Sequence, residues 1–326
     1  MSVNYTFMEK CDSFSKYSHI KSLLMFGEDS DIKPRVTIAI QTYKRLELLK
    51  EAVQSVLDQK DFEDFEILII DNDDQKLYSN QIIEYLSKLD NVVIRYYINQ
   101  TSLPSWNRCI ELARGEWMTI LCDDDILFPT YLKTLCYYID KNQGVNKVEC
   151  RYQRFVTQET ITQPKRRLVE RIESSRFGKT RKLDYFSYFY SCYTAPHSQL
   201  YKRDLAYSLG GFNERFRPVS DYVFNLAYSY NFGPSLFIDE YLCGYRTLVN
   251  DSLRPITIIG CMKWGKRIRE SLLEIKSNSL LRLFNKLQFD VDFLEYKKNK
   301  PFYRYLLRKM CSVAINLITI ITKAHC

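Results

Sequence analysis

Apolar residues between positions 36 and 122 form short continuous runs that alternate with stretches of helical spacing. Val36–Ile40 is an apolar, β-branched run, which predicts an interior strand of a sheet covered on both faces. From Arg45 to Gln59 apolar residues recur at helical spacing, which predicts a helix. Both patterns then repeat. They predict strands at Glu66–Asp71, at Val92–Tyr96 and from Trp117 to an acidic cluster, and helices over Ile82–Leu89 and Ser105–Ala113.

This alternation predicts an α/β fold with a mostly parallel sheet and helices on both faces. Beyond Leu253 the alternation ends, and Gly260–Lys276 and Ser279–Tyr296 predict helices rich in Lys and Arg. We therefore divide the chain into an N-terminal extension (1–33), an α/β domain (34–253, with halves 34–128 and 129–253) and a basic helical C-terminal extension (254–326).

Polar clusters follow three of the predicted strands: Gln41–Arg45, Asp71–Asp74 and Asp123–Asp125. In open parallel sheets, ligands bind beyond the carboxyl ends of the strands, so we expect these clusters to meet at one edge and form a site. Each cluster alone is also typical of turns and helix caps.

The aspartate triplet is the most informative of these clusters. Three neighbouring carboxylates repel one another and lose water at the end of a buried strand, so a compensating cation is expected. Oxygen ligands favour a hard ion, Mn²⁺ or Mg²⁺. The alternative is an acidic turn that caps a helix predicted to begin near Pro129.

Composition narrows the class of protein. With 46% hydrophobic and 26% charged residues, the chain is typical of a globular protein. Ten cysteines without a C-x-x-C pair, and no secretory signal, favour free thiols in the cytoplasm. Only three histidines argue against His-based metal chemistry, and the net charge of +8 does not choose between nucleic acid, an anionic membrane and a phosphate-bearing substrate. The first predicted loop has no glycine, which argues against dinucleotide-binding and P-loop proteins.

Five strings between Arg35 and Leu253 together resemble the family-two glycosyltransferases, which have the A-type nucleotide-diphospho-sugar transferase fold. These strings are Gln41–Arg45, Ser55–Gln59, Ile70–Asn72, Cys122–Pro129 and Gly210–Glu214, the last followed by Ser220–Tyr222. Singly they are weak, but their order and spacing are specific. The resemblance implies an inverting, metal-dependent transfer of a sugar from a nucleoside diphosphate to an acceptor hydroxyl.

The resemblance also implies roles for individual residues. Thr42 and Tyr43 would line the nucleotide pocket, Asp71 would accept a hydrogen bond from the base, and Asp124 would bridge the ribose and the metal. The full implied set for nucleotide-sugar binding is Thr42, Tyr43, Arg45, Asp71, Asn107, Asp123 and Asp124, and the implied metal ligands are Asp124 and Asp125.

Asp221 is the catalytic base that the resemblance implies, taking a proton from the acceptor hydroxyl. Ser220 is predicted to be the N-cap of a helix, whose dipole would keep the Asp221 carboxylate ionised. The alternative is that Asp221 only stabilises the helix start.

Four residues depart from the family's pattern: Gln41, Trp106, Cys122 and Ser220. Cys122 stands where the acidic signature usually begins. It is interpreted as a buried small hydrophobe rather than a soft metal ligand. Trp106 is interpreted as helix packing rather than a stacking surface. The departures at Cys122 and Ser220 leave open a catalytically silent sugar-nucleotide or partner-binding module.

The expected partners are a nucleoside-diphosphate sugar and a glycan or lipid-linked saccharide acceptor in surface polysaccharide biosynthesis, the latter by family analogy alone. No nucleic acid partner is expected. The basic residues Lys165, Arg166, Arg167 and Arg171 are interpreted as a solvated loop, with an acceptor phosphate as the alternative.

The segment Pro301–Lys323 combines apolar and basic residues, but its apolar part is shorter than the roughly 20 residues that span a bilayer. It could lie on the inner face of the cell membrane, pack on the catalytic domain or contact another subunit. The predicted location is therefore cytoplasmic, with a peripheral membrane contact as one alternative. His197 falls in a predicted strand, His197–Tyr201, and local packing is its expected role.

Overall fold

Four parallel strands near the N-terminus form the part of the sheet that carries the polar clusters. The computed structural model describes residues 6–29, 31, 33–90, 92–100, 105–161, 170–171, 174–175, 178–190, 195–247, 254–296, 314 and 318. A short strand β1 (Ser22–Phe26) precedes the alternating elements. These are β2 (Val36–Thr42), α1 (Leu46–Leu57), β3 (Phe65–Asp71), α2 (Ser79–Leu86), β4 (Val93–Asn99), α3 (Ser105–Leu112) and β5 (Trp117–Cys122). The predicted order of elements is confirmed.

The registers of these strands bring their carboxyl ends level with one another. Strands β4, β3, β2 and β5 are neighbours in that order and run parallel. Thr42 in β2 pairs with Asp71 in β3, and Gln41 pairs with Cys122 in β5. The three polar clusters therefore leave the sheet at the same edge, as expected from topology.

The sheet continues through the second half of the chain, where strands run in both directions. Its elements are β6 (Ile126–Leu127), α4 (Tyr131–Lys141), β7 (Lys147–Phe155), β8 (Thr180–Leu183), β9 (Gln199–Lys202), α5 (Arg203–Leu209), α6 (Ser220–Phe232) and β10 (Ser235–Arg246). β9 is antiparallel to both β5 and β7, and β10 runs parallel to β7. The predicted helix near Pro129 begins at Tyr131. His197 was predicted to begin a strand, but β9 begins two residues later, at Gln199.

Alternate residues of the central strands pack on opposite faces of the sheet. Ile38 and Ile40 of β2 join a cluster with Leu49 and Val53 of α1. Ala39 lies on the other face, in a cluster that includes Ile110 of α3. Helices therefore cover both faces, and the predicted α/β fold class is confirmed.

Two C-terminal helices, α7 (Pro255–Ile275) and α8 (Ser279–Tyr296), pack against each other and form the predicted helical extension. Ile268 and Phe284 are buried with Leu226 of α6 in a third apolar cluster. Ile318 is buried there too, although most of Pro301–Lys323 lies outside the described residues. Within the part of the chain that the structure describes, no helix is both long and apolar enough to cross a bilayer.

The N-terminal segment of residues 6–29 belongs to the folded domain. β1 adds an antiparallel strand at the edge of the sheet, beside β4. The backbone N–H of Cys11 donates to the carbonyl of Leu209, and the Ser13 hydroxyl donates to the carbonyl of Phe212. Gly210 has a left-handed φ of 92°, and any Cβ there would overlap the Cys11 carbonyl. A glycine is therefore required at this crossing.

In this half, one sequence prediction falls mostly on residues that the structure does not describe, and another is wrong. Lys165, Arg166 and Arg167 lie outside the described residues, whereas Arg171 is exposed. Ser220 is the first residue of α6, and the residue before it, Val219, provides no side-chain cap. The predicted N-cap at Ser220 is therefore wrong. The boundaries of the predicted domains stay a prediction.

Candidate active site

The aspartate triplet forms the turn between β5 and β6, and all three side chains are buried. The backbone N–H of Asp125 donates to the carbonyl of Cys122 at 3.1 Å, which closes the turn. The Asp123 and Asp124 carboxylates share Arg45 as a partner, whereas the Asp125 carboxylate contacts the second half of the sheet.

Asp123 faces the loop that follows β2. Its Oδ2 accepts a hydrogen bond from the Thr42 hydroxyl at 2.9 Å, and its Oδ1 lies 3.4 Å from Nη1 of Arg45. Burial raises the pKa of Asp123 to about 6, although the Thr42 hydrogen bond and the Arg45 charge oppose the shift. Thr42, Arg45 and Asp123, all predicted to bind the nucleotide sugar, are thus in direct contact.

Asp124 shares the same arginine. Its Oδ2 lies 3.3 Å from Nη1 of Arg45, and its backbone carbonyl accepts a hydrogen bond from Nε of Arg246 at 2.8 Å. Burial, followed by repulsion from Asp125, raises the pKa of Asp124, and the Arg45 charge opposes them. One guanidinium therefore partly compensates two buried carboxylates.

Asp125 faces the second half of the sheet. Its Oδ1 accepts a hydrogen bond from the backbone N–H of Arg246 at 2.8 Å, and its Oδ2 lies 3.1 Å from Nδ1 of His197. The His197 side chain is fully buried, at 0% exposure. Neither Arg246 nor His197 was predicted to belong to the site, and both lie far along the chain from the triplet.

Three side chains of this turn could hold a metal ion together. Ligand atoms of Cys122, Asp124 and Asp125 all lie within 4.8 Å of one another. Two carboxylates and a sulfur are donors that divalent cations accept, so the predicted ligands Asp124 and Asp125 fit a metal centre. Cys122 is partly exposed and belongs to none of the apolar clusters, so its interpretation as a buried hydrophobe is wrong. Burial and the three carboxylates raise the pKa of its thiol well above the usual range.

Tyr43 and Asp71 border the same edge of the sheet. The Tyr43 ring is 53% exposed, which leaves a face available to a ligand. The buried Asp71 carboxylate accepts hydrogen bonds from the backbone N–H of Asp73 and the hydroxyl of Tyr96, each at 2.8 Å. Burial raises the pKa of Asp71 to about 6 despite these two hydrogen bonds.

Asn107 uses its side-chain amide inside the protein. Its Nδ2 donates to the carbonyl of Phe212 at 3.0 Å, and its Oδ1 accepts from the backbone N–H of the same residue at 2.7 Å. These contacts hold the Gly210–Phe212 turn against α3. The predicted contact of Asn107 with a nucleotide sugar stays a prediction.

Asp221 is the second residue of α6 and is partly exposed. Its Oδ1 accepts a hydrogen bond from the backbone N–H of Tyr222. Burial of the carboxyl group raises its pKa to about 6 and outweighs these helix-start hydrogen bonds. The helix start therefore does not lower the pKa of Asp221, but a carboxyl group with this pKa is still mostly ionised at neutral pH. Among the described residues, no direct hydrogen bond or ion pair joins Asp221 to the triplet.

The fold and this edge of the sheet define a nucleotide-sugar transferase architecture. Residues 37–210 match the family described as "Glycosyl transferase family 2". Because the match covers more than half of the chain, the protein belongs to this family.

Curated relatives agree over part of their length. An uncharacterized glycosyltransferase of Methanocaldococcus jannaschii is 30% identical over 118 residues, which cover 35% of this chain and 40% of the relative. The GalNAc(5)-diNAcBac-PP-undecaprenol beta-1,3-glucosyltransferase of Campylobacter jejuni is 34% identical over 106 residues, 31% of this chain and 33% of the relative. The matched segments thus span between a third and two fifths of these relatives.

Solved structures share the fold over a longer range. Residues 1–349 of S. aureus TarS, in complex with UDP-GlcNAc, match with a TM-score of 0.55 and 13% identity, covering 87% of this chain and 89% of that one. The mannosyltransferase PcManGT of Pyrobaculum calidifontis, in complex with GDP-Man and Mn²⁺, matches with a TM-score of 0.50 and 13% identity. The match covers 91% of this chain and 77% of that one. At these identities the likeness concerns the fold alone.

Proposed function

We propose that the protein transfers a sugar from a nucleoside-diphosphate sugar to an acceptor hydroxyl, with inversion at the anomeric carbon and with a divalent cation. The observation that carries this proposal is the cluster of Cys122, Asp124 and Asp125 at the edge of the sheet where β2 and β3 also end. Buried carboxylates at a ligand-binding edge fit a site for a metal and a diphosphate. Family membership supports the same reaction.

The nucleotide would lie across the ends of β3, β2 and β5. Asp71 would accept a hydrogen bond from the base, the exposed Tyr43 would contact the nucleoside, and Asp124 would contact the ribose. Asp123 would line the same pocket while Thr42 holds its carboxylate. Arg45 keeps Asp123 and Asp124 in place through its shared guanidinium. Asn107 would support the site indirectly, because its side chain holds the turn that leads to α6.

A bound Mn²⁺ or Mg²⁺ would supply Lewis-acid stabilisation of the negative charge on the leaving nucleoside diphosphate. Asp124 and Asp125 would hold this cation. Two structures of the same fold support these ligand classes, one in complex with UDP-GlcNAc and the other with GDP-Man and Mn²⁺.

Asp221 would act as the general base. Its carboxylate takes the proton of the acceptor hydroxyl while the acceptor oxygen forms a bond to the anomeric carbon. The bond from that carbon to the diphosphate breaks on the opposite face, which inverts the configuration. A carboxyl pKa of about 6 suits this role, because the base is ionised near neutral pH yet more basic than an ordinary aspartate.

The acceptor would be a glycan or a lipid-linked saccharide of a surface polysaccharide, and the protein would work in the cytoplasm, on the inner face of the membrane. The name of the Campylobacter jejuni relative includes an undecaprenol-linked saccharide, which supports this class of acceptor. The basic residues of Pro301–Lys323 would give the membrane contact. Flotation with vesicles of anionic lipid would test it. Recovery of the full chain with the vesicles at low salt only is expected, and its absence contradicts the membrane contact.

A thermal-shift screen of nucleoside diphosphates and their sugars with Mn²⁺ tests the donor and the metal together. We expect one donor to stabilise the protein, by about 2.7 kcal/mol at a hundredfold excess over its dissociation constant. Asp124→Asn should lose this stabilisation. The matched control Asp61→Asn changes an exposed aspartate paired with Lys133 and should keep it. Equal stabilisation of the parent and Asp124→Asn would contradict the metal assignment.

The departures at Cys122 and Ser220 leave open a catalytically silent binding module. Release of nucleoside diphosphate separates an enzyme from such a module. With the identified donor, we expect slow hydrolysis that requires Mn²⁺ and becomes faster with acceptor. A donor that binds but is never hydrolysed or transferred would favour the binding module.

A further inference from the structure

Cys122 differs from the other cysteines near the sheet. Four of these are buried within apolar clusters: Cys109, Cys136, Cys150 and Cys243. Cys122 lies outside the clusters and is partly exposed, and its sulfur faces the carboxylates of Asp124 and Asp125. The hydrogen bond that closes the triplet turn contributes to this placement, because it brings the backbones of Cys122 and Asp125 close together.

The separations in this cluster suit one shared ion. Bonds from a divalent cation are about 2.3 Å to sulfur and about 2.0–2.2 Å to carboxylate oxygen, so ligands on opposite sides of one ion are about 4.5 Å apart. The three ligand atoms are at most 4.8 Å apart. Small rotations of the side chains would therefore let all three reach one ion.

His197 provides independent support for a ligand at this place. Its imidazole is fully buried, and in the described part of the chain neither ring nitrogen makes a hydrogen bond. Nδ1 nevertheless lies 3.1 Å from Oδ2 of Asp125. A buried imidazole behind a carboxylate is typical of the groups that orient metal ligands.

A second contact supports the sulfur itself. Nε2 of Gln41 donates to the sulfur of Cys122 at 3.6 Å, and Oε1 of Gln41 accepts from the hydroxyl of Ser105. Gln41 and Cys122 are two of the positions at which this chain departs from the family's pattern, and they contact each other. An N–H donor directed at sulfur stabilises the negative charge that a metal-bound thiolate carries.

We propose that the Cys122 sulfur is a ligand of the cation held by Asp124 and Asp125, and that the site prefers a thiophilic divalent cation, such as Co²⁺ or Zn²⁺, over Mg²⁺. On binding, the S–H bond breaks, a sulfur–metal bond forms and the proton passes to water. Thiolate ligands favour softer cations, whereas Mg²⁺ requires oxygen ligands in near-octahedral geometry. The inference rests on the proposed function for the location of the metal site, but it concerns which metal the site selects.

Cobalt titration of the full-length protein tests this inference, because a cobalt–thiolate bond gives a charge-transfer absorption band in the near ultraviolet. CoCl₂ is added with and without UDP to the parent, to Cys122→Ser and to the control Cys261→Ser, in which an exposed cysteine on α7 is changed. We expect the band in the parent and in Cys261→Ser. Cys122→Ser should bind Co²⁺ without the band, and its preference for Co²⁺ over Mg²⁺ should fall about tenfold or more. Circular dichroism should show the same fold in all three proteins.

The inference is overturned if the parent binds no Co²⁺ in either condition, if it binds Co²⁺ without the band, or if the band survives in Cys122→Ser. Sugar transfer is measured separately with Mn²⁺. Transfer by a parent that lacks the band contradicts only the sulfur ligand. A parent that shows the band but neither hydrolyses nor transfers any donor contradicts only the proposed function.

Discussion

The side-chain amide of Asn107 pairs with both backbone polar groups of Phe212, donating to the carbonyl and accepting from the N–H. These two residues are 105 positions apart in the chain. The pair joins α3, on the nucleotide side of the sheet, to the Gly210–Phe212 turn that precedes α6. It therefore couples the region of the first polar clusters to the helix that carries Asp221.

Replacing Asn107 by leucine should destabilise the protein by about 1–3 kcal/mol, because the N–H of Phe212 would stay buried without a partner, while its carbonyl would keep only the hydrogen bond from the Ser13 hydroxyl. Urea unfolding measures the loss. Asn142→Leu removes one exposed side-chain hydrogen bond and should cost less than about 1 kcal/mol. Normal stability with weakened donor binding would instead indicate the direct nucleotide contact that the family resemblance implies.

Asp221→Asn should lower kcat by about 10²–10⁴, because the acceptor hydroxyl would lose its general base. In the parent, kcat should fall as the pH decreases through about 6, since protonation removes the base, and this limb should vanish in the variant. Asp204 is the matched control: it is also the second residue of a helix, α5. A similar loss in Asp204→Asn would indicate a general effect of helix-start charges, not base catalysis.

Arg246→Lys tests whether the end of β10 supports the triplet. Lysine keeps the charge but loses the bond from Nε to the Asp124 carbonyl, so we expect Mn²⁺ affinity to fall about tenfold to a hundredfold. Arg203 also donates to two backbone carbonyls, those of Ile110 and Glu111, neither of which belongs to the triplet turn. Arg203→Lys should lose a comparable stability of about 1–3 kcal/mol while keeping metal affinity. Unchanged Mn²⁺ binding in Arg246→Lys would rule out this support.

Asp71→Asn should make the protein relatively more stable at alkaline pH. Burial raises the carboxyl pKa from 3.8 to about 6, so the contribution of Asp71 to stability is full at low pH and is lost as the pH rises through about 6. The variant lacks this loss. Its stability relative to the parent should rise by up to about 3 kcal/mol between pH 4 and pH 8, measured by urea unfolding at both values. A constant difference between the two proteins would contradict the raised pKa.

Local pattern was sufficient for the elements of the first half. The apolar runs of β2, β3 and β5 are long enough to identify buried strands, and the parallel topology then places Thr42, Asp71 and Asp123 at one edge. These residues could be grouped because Thr42 and Asp71 end their strands and Asp123 directly follows β5.

Other site residues could not be found in this way. Arg246 and His197 reach the triplet across 121 and 72 positions of chain through β10 and the segment before β9, and no local spacing encodes such contacts. One available signal was Arg246 at the end of a long apolar strand. The raised pKa of Asp221 could not be predicted, because a helix start is visible in sequence, whereas burial of a carboxyl group depends on distant elements.

The crossing of residues 6–29 over Gly210 has a consequence for synthesis of the protein. Cys11 emerges from the ribosome 199 residues before Gly210, its acceptor at this crossing. Residues 6–29 must therefore wait until most of the domain has been translated before they can dock. During that interval the edge of β4 lacks its partner β1, so a nascent chain exposes an unpaired strand to neighbouring polypeptides.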